Sequence, residues 1–479
     1  MTTTDAAPAA TRPSSALDEL RAAVRGPVLT ADDPALPGEA VTWNLTVAVR
    51  PHVLVGATCA DDVAAAVRYA HATGRGVAVL ATGHGTFDTA ADAVVVTTSR
   101  MRDLVVDPAG RTARIGAGLK WKDVVAETSK YGLAPLTGST SDVGAVGYTL
   151  GGGLGSLGRK YGFMADHVRS IEIVTADGVV RRIDAHQEPE LFWGVRGAKS
   201  SFGIVTEIEI ELFPVSTLFA GSIAFDGSHT AAVLHAWRDM AASLPEETST
   251  SFALLRLPDA PYVPSPLRGR LTTHIRFSHL GTDLEAELLL QPVRDAAPAI
   301  ADDVQRRPYS EADVIHKDPV DPTPFFESGG LLGDLSAEAL DGLIAAAGPG
   351  ADPGVFLVEV RLLGGQLDKE AEPPNAVPGR GAAYNLLMVG LGTPDVIDAT
   401  RAGANRVLAA LAPELTGQHL ANFIGSTTDP ADVLRAYSFG AVARLRALKR
   451  TWDPDNVFRI GHVISAAAVP AQRSVQEQS

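Results

Sequence analysis

The chain has 479 residues, 46% of them apolar and 20% charged, and its formal charge is −15. A chain this apolar can bury large cores and is not disordered as a whole, and at roughly 150 residues per domain it divides into two or three. The acidic balance argues against nucleic acid or an anionic membrane surface as a partner, because both need a basic footprint.

Residues 1–39 read as a tail and lead-in, the first fifteen being mostly Thr, Ala, Pro and Ser, of a kind expected to be disordered. They carry neither the basic nor the apolar region of a secretion signal, and no apolar run approaches the ~18 residues of a membrane span. A cytoplasmic location with no membrane partner is therefore expected. Cys59 stands alone, which excludes an internal disulfide, a cysteine-based zinc site and a CxxC pair. It is expected to be buried at a strand end. Asp61 and Asp62 start a helix over 61–74, striped by Val63, Val67 and Ala70 and ended by Gly74. Strands are expected at 78–83, 93–98, 112–118, 170–176 and 203–212. After Pro214 the runs lengthen, at 251–257, 272–279, 355–363 and 382–390, separated by helical segments and Pro-rich loops. That pattern predicts an antiparallel sheet with helices, an α+β fold. A last helix over 431–452 runs into the segment from Asp453 to Phe458, and the final residues again read as disordered.

The densest chemical signal runs from Gly138 to Gly162. Gly153, Gly155 and Gly158 spell GxGxxG, but no Val/Ile strand precedes them and Gly162 interrupts any following helix, so a Rossmann loop is disfavoured. Two explanations of the glycines stay open. Backbone N–H groups could approach an anion such as a pyrophosphate, or the loop could be a tight turn packed on another element. His84 sits between Gly83 and Gly85 just after a strand, which leaves its imidazole room to approach a ligand.

Taken in order, the segments VLATGHG, VGAVGYTLGGGLG, RKYGFMADH, IVTADG, ELFWGVRGAKSSFGIVTE and RLRALKRTWDPDNVF resemble the FAD-linked oxidases of the vanillyl-alcohol-oxidase fold, in the berberine-bridge-enzyme-like branch. The resemblance extends from about Trp43 to Ile464. It implies a two-domain PCMH-type FAD-binding fold: an FAD domain over 40–216, a substrate domain over 217–439, a C-terminal return over 440–468 and a disordered tail over 469–479. It also implies that FAD is lined by Ala81, Thr82, Gly83, His84, Gly85 and Thr86. The second loop would contribute Gly138, Ser139, Thr140, Val143, Gly144, Gly147, Tyr148, Gly151, Gly152 and Gly155. Gly203, Ile204 and Val205 would lie near the adenine end, and His462 near the flavin. His84 matches the histidine that bonds to the flavin 8α carbon. The cysteine of a second bond is replaced by Thr140, so a single covalent attachment is expected.

Several positions depart from the family pattern. Leu80 replaces an arginine and Thr82 a loop glycine. Leu420 replaces the tyrosine that often serves as base, although Asn422 remains beside it. On the later strands, alternation puts His274 with Arg276 and Glu359 with Arg361 on shared faces, and Tyr384 opens a third such strand. Arg276, Glu359 and Arg361 are candidate substrate contacts or solvated edge charges. Asn422, Tyr384 and His274 are the candidate catalytic residues, the last two as proton acceptors. The resemblance implies oxidation of a small organic molecule, with O2 as acceptor, as a tailoring step on a secondary metabolite. A carbohydrate oxidase is the second choice. A redox-neutral cyclase or isomerase, and a binder retaining FAD as scaffold, are the alternatives from other classes.

Overall fold

The computed structural model describes residues 15–85, 92–261, 263–425, 427 and 429–466. Val53–Gly56, Val77–Leu80 and Val94–Thr97 are short β-branched runs that pair in parallel, with Val28–Leu29 antiparallel on the outer edge. Parallel neighbours need a crossover. Ala60–Ala72 supplies it, and its Val63, Val67 and Ala70 stripe packs on Val53, Val55, Val94 and Val96. Cys59 is the N-cap residue of that helix and only half-buried, contrary to expectation. A helix at Ala16–Ala23, capped by Ser15, was not anticipated.

A second sheet has five antiparallel strands: Leu104–Asp107, Thr112–Gly116, Gly203–Glu211, Val168–Thr175 and Val180–Asp184, in that spatial order. The third has eight strands. Its path runs Ala299–Asp302, Thr217–Asp226, Leu271–His279, Thr248–Arg256, Leu357–Leu362, Tyr384–Leu391 and Phe325–Leu332, and Gln305–Pro308 adds to Thr217–Asp226. One face is covered by the helices Thr230–Ala241, Asp283–Ala296, Ala337–Ala347 and Ile397–Ala410, which bury their apolar sides against it. Alternation sends Tyr384, Leu386 and Met388 into that core, and Leu387 and Val389 to the opposite face. The glycine-rich segment ends in a single helical turn, Gly158–Tyr161, so no Rossmann unit is built.

Two of the ties between the region of the eight-stranded sheet and the rest are made by charged side chains. Buried Arg159 donates to the carbonyls of Thr248 (2.8 Å), Leu244 (3.0 Å) and Leu363. Asp166 accepts from Arg380 (2.5 Å) and Asn375 (2.7 Å). The helix expected over 431–452 is two helices, Pro430–Arg435 and Phe439–Trp452, because the Ser438 hydroxyl accepts from Ala441 N–H and starts a new one. From the second helix, fully buried Lys449 pairs with Asp453 at 2.7 Å and donates to Ser201 O at 2.9 Å. Asp453 in turn accepts from the N–H groups of Val457 and Phe458. No helix among the described residues is long and apolar enough to cross a membrane.

Candidate active site

The three sheets converge on a cavity of about 440 Å³. One wall is the loop after Val77–Leu80. Gly83 there has φ +72°, and a Cβ would lie 2.6 Å from Thr42 Cα, so only glycine lets the Thr42–Trp43 backbone pack on it. Trp43 then stacks on His84, with ring centroids 4.8 Å apart at 15°. The Thr82 hydroxyl lies 2.8 Å from His84 Nδ1. Burial pushes the imidazole down to about 4, so it is neutral at ordinary pH. Ala81, Thr82, Gly83, His84 and Gly85 all line the cavity; Thr86 lies outside the described residues.

The second wall is the glycine loop, which divides by function. Gly138, Ser139, Thr140, Val143, Gly144, Gly147 and Tyr148 line the cavity, as does Val205. A Cβ at Gly147 or Gly85 would meet nothing within 4 Å, so these backbones stand open to the space a cofactor would fill. Gly151, Gly152 and Gly155 do not line it, which corrects the sequence expectation. A Cβ at Gly151 would collide with the Asn422 amide, and one at Gly155 would lie 2.0 Å from Thr137 O. Gly152 has φ +109°. These three serve a tight internal turn, the other explanation left open by the sequence. Gly203 and Ile204 are also away from the cavity. A Cβ at Gly203 would strike Val174 O, and Ile204 packs under the Ala60–Ala72 helix.

The third wall is the free face of the eight-stranded sheet, with Phe325, Glu327, Leu357, Glu359, Arg361, Leu387 and Val389. Glu359 is fully buried and held by Arg361 (2.8 Å), by Arg276 and by the Ser251 hydroxyl (2.8 Å). Burial opposes ionisation, but the two guanidinium groups outweigh it and hold this carboxyl well below its ordinary range. Arg361 also lies over the Phe423 ring at 5.5 Å. Asn422 lines the cavity and donates from Nδ2 to Tyr148 O at 2.8 Å. His462 lines it too, and its Nε2–H donates to Thr427 O at 2.8 Å.

Three candidates fall elsewhere. Tyr384 has the wrong parity on its strand and packs near Trp237 in the helix-covered core. His274 shares the Arg276 face as expected, but it bonds Thr272 (2.9 Å) and does not line the cavity. Arg276 does not line the cavity; it pairs with Glu359, which does, and lines a small neighbouring cleft with His316 and Ser251.

Residues 51–184 match the family model of an FAD binding domain, and residues 433–465 match the model described as berberine and berberine like. Across 471 residues the chain is 30% identical to (R)-6-hydroxynicotine oxidase of Paenarthrobacter nicotinovorans, spanning 91% of this chain and 96% of that protein. The chain belongs to the berberine-bridge-enzyme-like FAD-linked oxidoreductases. The crystal structure of 6-hydroxy-D-nicotine oxidase from Arthrobacter nicotinovorans has a TM-score of 0.80 to it at 26% identity, covering 93% of this chain and 98% of that one. BBE-like 1 of Physcomitrella patens has a TM-score of 0.80 at 21% identity over 95% of this chain and all of that one, a likeness of fold. The enzyme is thus an FAD-dependent oxidoreductase of the α+β PCMH type, and the open glycine backbones of the first two walls fit that cofactor.

Sequence reasoning missed Trp43, Lys199, Asp318 and Glu327, all of which line this enzyme's cavity. Trp43 precedes the first long motif and gave no periodic signal. Lys199 carried one visible cue, a long side chain inside a glycine- and serine-rich turn. It adopts φ +53°, in the left-handed region uncommon for a residue other than glycine.

Proposed function

We propose that the enzyme oxidises a small, largely apolar molecule bearing an amine or hydroxyl group, of the alkaloid-like secondary-metabolite class, with O2 as the final electron acceptor. The third wall carries this proposal. Phe325, Phe356, Leu357, Leu387, Val389 and Phe423 present an apolar slot with few polar anchors, Glu359 and Arg361 among them. A ring system with one or two polar atoms suits such a slot, whereas a sugar would need hydroxyl partners along its length. Bound FAD supplies the hydride acceptor. The chain's own residues orient the substrate and exclude water. Glu359 keeps Arg361 fixed for an acceptor atom of the substrate, and Asn422, locked over Gly151 by its bond to Tyr148 O, shapes the nearby edge. Anaerobic mixing with a panel of cyclic amines, phenols and oligosaccharides tests this. Bleaching of the flavin by an amine or phenol is the expected result. Bleaching by the oligosaccharides alone would assign a carbohydrate oxidase, and product without bleaching a redox-neutral enzyme.

His84 is proposed as the single covalent anchor of FAD. Its ring is neutral, as a nucleophile must be, and Trp43 holds its plane. With Nδ1 engaged by Thr82, Nε2 is the nitrogen free to bond. Acid precipitation is expected to give a yellow pellet carrying one FAD adduct on the His84 peptide, and a colourless pellet in His84→Ala. Colour wholly in the wild-type supernatant would remove the bond and leave a dissociable FAD.

A further inference from the structure

A histidine ring has two nitrogens, and covalent anchoring at His84 needs one of them bare of hydrogen and turned to the cofactor. Trp43 does not decide which. Its ring lies within 15° of the imidazole plane, and a half-turn of the imidazole about Cβ–Cγ keeps that plane while exchanging its two edges. The contact that tells the edges apart is the 2.8 Å bond between Thr82 Oγ1 and Nδ1. Among the described residues the imidazole has no other hydrogen-bond partner. Thr82 stands where the related oxidases carry a loop glycine, and the positive φ of this turn falls on the next residue, Gly83, at +72°. The backbone that carries the hydroxyl is itself tied. Thr82 O accepts from Trp43 N–H and Gly83 O from Asn44 N–H, both at 3.2 Å. Branching at Cβ restricts the Thr82 side chain further, and its methyl carbon faces Gly144 of the second wall, 3.4 Å from where a Cβ would stand there.

We propose that Thr82 is a positioning residue for flavin attachment: its hydroxyl oxygen accepts the Nδ1–H of His84, turns Nε2 to the cofactor, and so selects Nε2 as the bonding nitrogen. It rests on the covalent anchoring put forward above. Which nitrogen of a histidine carries the proton is set by the bond the other edge makes. With hydrogen on Nδ1, Nε2 keeps its lone pair. In the attachment step one C–H bond of the 8α methyl breaks and its proton goes to solvent. Nε2 supplies the electron pair of the new C–N bond, and the substituted ring then gives its Nδ1 proton to solvent. The pair left by the C–H bond enters the flavin, which gains two electrons, takes up two protons, and is reoxidised by O2 with release of H2O2.

Acid precipitation followed by NMR of the flavin peptide tests this without a substrate. Attachment at Nε2 links the 8α protons to Cδ2 and Cε1 of His84, and attachment at Nδ1 links them to Cγ and Cε1. The wild-type adduct should be wholly on Nε2. Thr82→Val keeps the shape and removes the hydroxyl; it should retain FAD, but the covalent share should fall ~10-fold or more, as when the outer partner of a ligating histidine is lost, with the remaining adduct divided between the two nitrogens. Thr82→Ala should behave in the same way, and Thr82→Ser should restore the wild-type pattern. A wild-type adduct on Nδ1, a full Nε2 adduct in Thr82→Val or Thr82→Ala, or a failure of Thr82→Ser to restore it would each overturn the role of Thr82 while the covalent anchor stands. A wild-type pellet without colour removes the anchor itself, and the role of Thr82 with it.

Discussion

Lys449→Met is expected to destabilise the enzyme by about 3–5 kcal/mol, the cost of leaving a buried charge without its partner. Lys449 and Asp453 are both fully buried, and the ammonium also serves Ser201 O. Methionine fills the stem but leaves the Asp453 carboxylate with only the N–H groups of Val457 and Phe458. Because Ser201 also accepts Ile464 N–H through its hydroxyl, at 2.9 Å, the segment carrying His462 should loosen as well. Urea midpoints check this. Lys449→Met combined with Asp453→Asn should recover part of the loss, since the isolated charge is gone. A midpoint unchanged in the single variant would show that the pair contributes nothing to the C-terminal return.

The second large effect separates the two halves of the glycine loop. Gly147→Val is expected to yield folded, soluble protein without FAD, because its side chain enters open cavity space. Gly155→Val is expected to yield little folded protein at all, since a Cβ 2.0 Å from the Thr137 carbonyl leaves no room short of moving backbone. Overpacking of that kind costs about 3 kcal/mol or more. Gly152→Val belongs with Gly155, given its φ of +109°. Circular dichroism and the flavin absorbance of purified protein report the two outcomes separately. A yellow Gly147→Val protein would contradict the cradle, and a stable Gly155→Val protein would contradict the packing role.

What could be read from the residues alone follows from how local each feature is. The helix after Cys59 was legible because Val63, Val67 and Ala70 repeat with helical spacing, and the strands 272–279 and 355–363 because β-branched and apolar residues alternate there with His274, Arg276, Glu359 and Arg361. Phe325–Leu332 was not, since Gly329 and Gly330 dilute its strand signal; Gly329 is there because a Cβ would lie 2.1 Å from Leu386 O. That strand carries Phe325 and Glu327, so missing it hid part of the third wall. Tyr384 shows the opposite limit. Chemistry nominated it, but its parity depends on register with Leu332 and Leu362, which no local pattern encodes. The cradle was visible as motifs, yet which glycines face the cofactor and which face other backbone is a matter of tertiary packing.

Arg159 has a consequence for how molecules get in. Three carbonyls accept from its guanidinium, at Leu244, Thr248 and Leu363, and hydrogen bonds of that charged kind contribute about 1.5–3 kcal/mol each. With Asp166 gripping Arg380 and Asn375, the two lobes are latched on the side where those residues lie. Swinging them apart to admit a guest would break most of these bonds at once. A guest that fits without that opening meets the side chains that line the cavity as they stand. Retuning the enzyme toward a bulkier guest would then mean shortening Leu357, Leu387 or Val389, which line its third wall.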